Sequence, residues 1–357
     1  MKAVDLFCGC GGLSEGARQA GVDILAGIDI EKKYLQTFEY NFPNALALNK
    51  NITIFEPDDL LTRLGLKQGE LDFIIGGPPC QGFSKNTPIS KRSRDSENNI
   101  LVNYFLRYCA KILPRIIIME NVAEMKNGFD QHYTKKIEEE LSKLGYKVIH
   151  GVLNAADFGV PQNRKRAFFI ARRDGKSPVF PQPTHAKYGN IFLNSHITVW
   201  EAISDLVETA KATIEQYKTP PQNSYQLNMR EKSVVVQNHI SKKLTSIQQQ
   251  RINSLQPGQG IKDLPDNLRP KSGYSGAYGR LTKDMIMPTI TRWVFHAGSG
   301  RWGHPTEYRL ITIREAARLH SFPDKFTFIG SYTEQAGQVG NSVPPLLAKA
   351  IVEAQLN

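Results

Sequence analysis

Cysteine is scarce. There are four in 357 residues, too few for a disulfide framework at this length, and a reducing compartment is expected. Cys8 and Cys10 form a C-x-C, but no second pair and no histidine at ligand spacing follows, so no metal is expected. No apolar run approaches the ~20 residues of a membrane span. Lys2 leads directly into a core-like strand instead of a secretory leader, so a cytoplasmic protein without a membrane partner is expected. Internal repeats and low-complexity tracts are missing. Acid is short: 34 Asp and Glu face 45 Lys and Arg, a formal charge of +11. That excess suggests a polyanionic partner, most simply nucleic acid. With 40% hydrophobic and 22% charged residues, the composition fits a folded chain of one large domain or two modest ones.

What is present alternates. Short apolar runs at 3–7, 24–28, 71–75, 115–119 and 166–171 read as strands. Residues 13–20 and 100–112 read as helices, the second with Leu101, Phe105, Tyr108 and Ile112 on one side. Ile137, Leu141 and Leu144 mark another helix, closed by Gly145. Such alternation predicts an α/β fold with a parallel sheet covered on both faces. Ligands bind such folds beyond the carboxyl ends of the strands. Three predicted ends carry unusual residues: Cys8 to Gly12, Asp29, and Pro78-Pro79-Cys80.

Gly9, Gly11 and Gly12 let the backbone approach a ligand at a helix N-terminus. Asp29 falls where an acid meets ribose hydroxyls in dinucleotide folds, but the third glycine of G-x-G-x-x-G is Ser14. An adenosine-bearing cofactor other than a dinucleotide is therefore favoured. Cys80 sits just past a strand end stiffened by two prolines. A thiol needs help to ionise near neutrality, and Glu120 and Asn121, at the end of another strand, could lie near it.

These motifs resemble those of the cytosine-5 DNA methyltransferases. Asp5-Leu-Phe-Cys-Gly-Cys-Gly-Gly12 resembles that family's cofactor loop, and Gly77-Pro-Pro-Cys-Gln-Gly-Phe-Ser84 its nucleophile motif. Glu120-Asn121-Val122, Gln162-Asn-Arg164-Lys-Arg166, the stretch 309–322 and Gly340-Asn341-Ser342-Val343 follow in the family's order. The resemblance implies a Rossmann-like S-adenosylmethionine-dependent methyltransferase domain with a smaller, irregular target-recognition domain. The expected division is 1–183 catalytic, 184–332 target recognition, and 333–357 returning to the catalytic domain.

The resemblance also implies roles. Cys80 would attack carbon 6 of a flipped-out cytosine, so that carbon 5 takes a methyl group from S-adenosylmethionine and leaves S-adenosylhomocysteine. Glu120 would hold N3 and the exocyclic amine, Arg166 the base carbonyl, and Arg164 the closed catalytic loop. Phe7, Gly9, Gly11, Gly12 and Leu13 would receive the methionine part, Asp29 the ribose and Ile30 the adenine. Asn51 and Ile52 would stand at the adenine edge, and Pro79, Leu101, Asn341 and Ser342 would complete the site. The family commonly has Asp where this chain has Asn51, whose amide oxygen could still accept from the adenine amine. An aromatic often stands where this chain has Ile30.

Chemistry on a paired base requires extruding it from double-stranded DNA. Residues 85–94 hold Lys85, Lys91, Arg92 and Arg94 and no acid, and are expected, with Ser84, to close over DNA. Residues 184–300 carry 14 Lys and Arg against 8 Asp and Glu. Arg230, Lys242, Lys243, Arg251, Arg269, Arg280 and Arg292 are candidates there for phosphate or guanine contacts. Thr312 and Glu315 form a capping-box pattern before a helix at 313–320. Arg314 and Glu315 are expected to brace the small domain against the large one.

Cys80 stands where an amino-methyltransferase needs an aromatic, which argues against that class. A non-catalytic binding protein would not need Cys80, Glu120 and Arg166 together, and a nicotinamide oxidoreductase fails on the incomplete glycine fingerprint. A tRNA cytosine methyltransferase is disfavoured by the long basic 184–300 region. The expected enzyme is a monomer of bacterial, nucleoid-associated, restriction-modification type, either with a cognate restriction endonuclease acting separately or solitary.

Overall fold

The structure, a computed structural model, describes residues 1–79, 97–126, 131–206, 213–231 and 233–356. Expectations placed on Cys80, Ser84, Lys85, Lys91, Arg92 and Arg94 lie outside the described residues. The chain divides into two compact units. One comprises 1–155, 165–183 and 345–357, the other 156–164 and 184–344.

The first unit runs β1 (Lys2–Leu6), α1 (Gly12–Gln19), β2 (Asp23–Asp29), α2 (Lys32–Asn41), β3 (Leu46–Asn49), α3 (Pro57–Leu64), β4 (Phe73–Gly76), α4 (Glu97–Ile112), β5 (Ile116–Val122), α5 (His132–Lys143), β6 (Lys147–Asn154) and β7 (Lys165–Arg172). They form a seven-stranded sheet in the order β3-β2-β1-β4-β5-β7-β6. Phe73, Ile74 and Ile75 of β4 and Ile116 to Met119 of β5 are buried throughout. Unbroken burial along a strand requires cover on both faces.

The expectation of a parallel sheet holds for β1 to β5 only. β7 pairs antiparallel with both β5 and β6. The reason is connection length: a parallel neighbour needs a crossover of a dozen or more residues, and only a short 3-10 turn, Ala155–Phe158, stands between β6 and β7. Strands β3 and β6 and helices α2 and α3 also form where the apolar pattern had marked nothing.

Strand order reverses beside β1. β2 and β3 lie on one side of it and β4 on the other, and such a switch leaves a crevice at the strand ends. Gly76, at the end of β4, pairs with Leu6. A Cβ there would meet the Leu6 carbonyl oxygen at 2.3 Å, so only glycine lets these ends lie this close. The last helix, Pro345–Leu356, packs on α1, and Arg172 Nη1 ties its Gln355 carbonyl to β7 at 2.9 Å.

The second unit has little regular structure. Its α-helices among the described residues are Val199–Ile203, Ser224–Arg230, Ser246–Asn253, Ile313–Leu319 and Tyr332–Asn341. Irregular buried backbone leaves carbonyls that still need donors, and arginines supply them. Arg314 donates to the carbonyls of Gln237, Pro323 and Phe326, and Arg280 to those of Leu255 and His304. Arg318 joins Asp205 and Asp324 in a buried ion network. Glu315 caps Thr312 and pairs with Arg309 at 2.7 Å. Arg314 and Glu315 thus brace the second unit internally; every partner named for them lies within it.

The second unit also extends further than the expected 332. Tyr332–Asn341 is bonded into it through Gln338 Nε2, which donates to the Ile329 carbonyl at 2.9 Å. The return to the first unit begins at Pro345 instead of 333.

A Cβ on Gly16 of α1 would stand 2.4 Å from Ala348 Cβ and 2.5 Å from the Pro345 carbonyl oxygen. Gly16→Ala is expected to force the two helices apart and lower stability by about 1–3 kcal/mol. Urea unfolding measures this; an unchanged midpoint would contradict the contact.

Candidate active site

Two strand ends at the reversal of strand order build the site in the first unit. After β1 the chain turns sharply through Phe7, Gly9 and Gly11, at φ +63°, +55° and +97°. Gly11 is required there: a Cβ would meet the Phe42 ring at 2.6 Å. A Cβ on Gly9 would meet nothing within 4 Å, so its α-carbon faces open space. Gly12 and Leu13 begin α1 and are buried, and Phe7 packs on the core.

Asp29, at the end of β2, braces this turn. Its Oδ2 accepts from Gly9 N and its Oδ1 from Glu31 N, both at 2.8 Å. Burial raises its pKa, and the two backbone donors oppose that. Beneath it, Asp5 is fully buried, and Ser14 Oγ donates to its Oδ2 at 2.5 Å. Burial pushes the Asp5 carboxyl from 3.8 to about 7. Ser14, the residue that breaks the dinucleotide fingerprint, is therefore the partner of a buried acid. Burial also raises the Cys8 thiol well above its ordinary range, so this cysteine is not a ready thiolate.

Around the turn, Ile30 is 62% exposed. Asn49 Nδ2 donates to the carbonyls of Asp29 and Ile30 at 3.0 and 2.9 Å, a support that no sequence signal marked. Two expectations change here. Asn51 Oδ1 accepts from Thr53 N at 3.0 Å and Thr53 Oγ1 at 2.9 Å, so the oxygen assigned to adenine is engaged in a local turn. Ile52 is buried in the core, so only its backbone is left to meet a ligand. Leu101 is half-buried on α4, and Pro79 is exposed.

The second strand end gathers Gly77, Pro78, Glu120, Asn121 and Arg166. Glu120 pairs with Phe168, and Arg166 with Val122, across antiparallel β5 and β7. Residues two apart share a face, so Glu120 and Arg166 are diagonal neighbours within side-chain reach. Arg166 Nε meets Glu120 Oε1 at 2.9 Å, and Arg166 Nη1 donates to the Lys165 carbonyl at 2.8 Å. A Cβ on Gly77 would lie 3.0 Å from Glu120 Oε2. Asn121 points the other way and is buried. Its Nδ2 donates to the Pro78 carbonyl at 3.0 Å, and its Oδ1 accepts from Val122 N at 2.9 Å. Glu120 is thus presented while Asn121 holds the backbone that leads into Cys80.

Other expected residues lie in the second unit. Arg164 is buried and donates to the carbonyls of Ile290, Gly340 and Ser342 at 2.9, 3.0 and 2.9 Å. It fastens that unit; the loop it is expected to support lies outside the described residues. Asn341 ends the helix Tyr332–Asn341, and Ser342 Oγ donates to the Gln338 carbonyl at 2.6 Å.

Several candidate DNA contacts have partners within the second unit. Arg230 pairs with Asp205, Arg280 is buried, Arg251 donates to Leu268 and Tyr278, and Arg269 pairs with Asp266. Arg292 and Lys243 are exposed, and Lys242 is half-buried against aromatic rings. Among the described residues no helix is long and apolar enough to cross a membrane, and no cluster of His, Cys, Asp and Glu could hold a metal.

A family model described as C-5 cytosine-specific DNA methylase matches residues 1–357, and the chain belongs to that family. It is therefore a DNA (cytosine-5-)-methyltransferase, with DNA as its substrate. Its similarity to Type II methyltransferase M1.HphI of Haemophilus parahaemolyticus is 37% identity, over 100% of this chain and 87% of that one. Type II methyltransferase M.DdeI of Desulfomicrobium norvegicum is 33% identical over 99% of this chain and 88% of its own. The fold is similar to the crystal structure of a putative DNA modification methyltransferase from an Escherichia coli prophage. There the TM-score is 0.80 at 25% identity, covering 100% of this chain and 99% of that one.

Two outcomes follow. Gly77→Ala puts a methyl 3.0 Å from Glu120 Oε2 and should displace the carboxylate. DNA methylation is expected to fall on the order of 10–100-fold with folding intact, read by single-turnover methyl transfer. Asp5 carries a proton into the folded state because its folded pKa lies above its unfolded one. Its contribution to stability is fully present below about pH 4 and is lost as pH rises through about 7. Asp5→Asn should flatten the pH dependence of urea unfolding over that window; an unaltered slope would refute the assignment.

Proposed function

We propose that this enzyme transfers a methyl group from S-adenosylmethionine to carbon 5 of a cytosine turned out of a specific double-stranded DNA sequence, through a covalent bond to Cys80. The observation that carries this reading is the placement of the Glu120 carboxylate. It is held by Arg166 and lies against Gly77, three residues before the cysteine.

The residues of the β1 and β2 ends fit the cofactor. The open face of Gly9 admits the methionine part, with Phe7, Gly11, Gly12 and Leu13 forming the turn around it. A carboxylate has about four lone-pair sites, so Asp29, with one backbone donor on each oxygen, keeps capacity for ribose hydroxyls. Exposed Ile30 offers an apolar face to adenine. When bound, the cofactor supplies an electrophilic methyl group on a sulfonium.

The protein's own groups do the rest. The Cys80 thiolate adds to carbon 6, and the electron pair of the 5,6 double bond moves to carbon 5, making it nucleophilic. Glu120 brings a proton to N3 and accepts from the exocyclic amine, which favours the protonated, electron-poor ring. Arg166 has its Nε on Glu120 and Nη1 on the Lys165 carbonyl, and turns Nη2 to the base carbonyl O2. Once carbon 5 carries the methyl, its proton leaves to a base. The 5,6 double bond re-forms and the Cys80–carbon 6 bond breaks.

Ser84, Lys85, Lys91, Arg92 and Arg94 would meet DNA phosphates, and the basic second unit would read sequence. The Type II names of both relatives support a role beside a separately acting restriction endonuclease.

Labelled S-adenosylmethionine, mixed-sequence duplex DNA and tRNA test the reading. Wild type should label DNA at cytosine carbon 5, and Cys80→Ser should lose several orders of magnitude of that rate. Label confined to tRNA, or a fully active Cys80→Ser, would reject it.

A further inference from the structure

Within the second unit, residues 291–299 form a rigid run of tight turns. Val294 N donates to the Thr291 carbonyl at 3.1 Å, and His296 N to that of Trp293 at 2.9 Å. Ser299 Oγ donates to the Trp293 carbonyl at 2.6 Å and accepts from Trp302 Nε1 at 2.9 Å. Val294 anchors the run from below at 2% exposure, yet Trp293 beside it is 49% exposed. A Cβ on Gly340 would come within 2.2 Å of the Thr291 backbone, so helix Tyr332–Asn341 backs this segment directly.

Four side chains line up over that support. The Arg292 guanidinium stands 5.0 Å from the Trp293 ring centroid, and the rings of Trp293 and Phe295 are 5.7 Å apart. Lys242 Nζ lies 4.3 Å over Phe295. Each end of the aromatic pair is therefore a cation. Partial burial lowers the Lys242 pKa, as expected of an ammonium pressed on aromatic carbon. The surrounding chain lacks acid: neither 232–262 nor 285–306 contains an Asp or Glu. A protein-binding surface centred on apolar anchors is depleted of lysine and charge at its core. An aromatic face between two cations, in an acid-free field, suits a ligand that alternates flat rings with negative charge, which is a nucleic acid strand.

We propose that Trp293, with Phe295 behind it, is the stacking face for a DNA base left out of the duplex stack, and that Arg292 and Lys242 take phosphates to either side of that base. This rests on the base-extruding reading above, because an unstacked base arises when the target cytosine leaves the helix. A fully paired duplex shows no such base face, so the stack contributes only on distorted DNA.

The test uses the full-length enzyme and two labelled duplexes of one mixed sequence, fully paired or with one unpaired base opposite an abasic site. Wild type is expected to prefer the second duplex. Trp293→Ala should bind that duplex on the order of tenfold more weakly and lose the preference, while Trp293→Phe keeps most of it. Arg292→Ala and Lys242→Ala should each lower the salt slope by about one on both duplexes. Trp293 fluorescence provides a check that needs no folded alanine variant. Quenching by the unpaired-base duplex in wild type, absent in Trp293→Phe, supports the stack. Equal binding of both duplexes by wild type and Trp293→Ala, or no difference in quenching, overturns it. Methyl incorporation into duplex DNA by wild type, measured in parallel, keeps failure of this inference distinct from failure of the catalytic reading.

Discussion

The first unit is organised by the crossing of its chain from one side of β1 to the other. β2 and β3 are laid on one flank, and β4 must then pair on the opposite flank. The ends of β1 and β4 are left side by side. Two consecutive glycines set the fit of the second end. Gly76 lets β4 close on the Leu6 carbonyl, and Gly77 lets the Glu120 carboxylate come down beside the chain. Neither glycine is there for a left-handed backbone. Both are there because something else occupies the space of a side chain.

The adjacent pair Glu120 and Asn121 divides labour by strand alternation. Successive side chains of β5 point to opposite faces. One therefore meets Arg166 at the surface, and the next is buried on the Pro78 carbonyl. The same hydrogen bond that satisfies a buried amide also fixes the approach to the cysteine. The polar group that would otherwise be costly to bury is the one that holds the Pro78 carbonyl in place.

Much of this was legible in the sequence. Strands β1, β2, β4 and β5 show as apolar runs ending in glycine or acid, and the glycine turn, Asp29 and Glu120 follow from those ends. The reversal of β7 was not legible, because Arg166 to Ala171 reads the same in either direction and only the connection decides. Ile52 and Asn51 carry no local sign that one is buried and the other engaged with Thr53. The basic excess was legible as a number but not as a surface. Arg164, Arg280, Arg314 and Arg318 are spent on carbonyls and buried acids, since a unit with few helices and strands must find donors for its backbone elsewhere.

The first unit is discontinuous: its opening helix α1 packs on the last helix, Pro345–Leu356, with Gly16 at the contact. This has a consequence for biosynthesis. A chain emerging from the ribosome presents the whole sheet, and then residues 184–344 of the second unit, before the residues that cover α1 exist. The sheet must wait with one flank bare while residues 184–344 of the second unit are made and fold. Completion of the first unit is thereby tied to completion of the second in time, and a truncated chain is left with an open core.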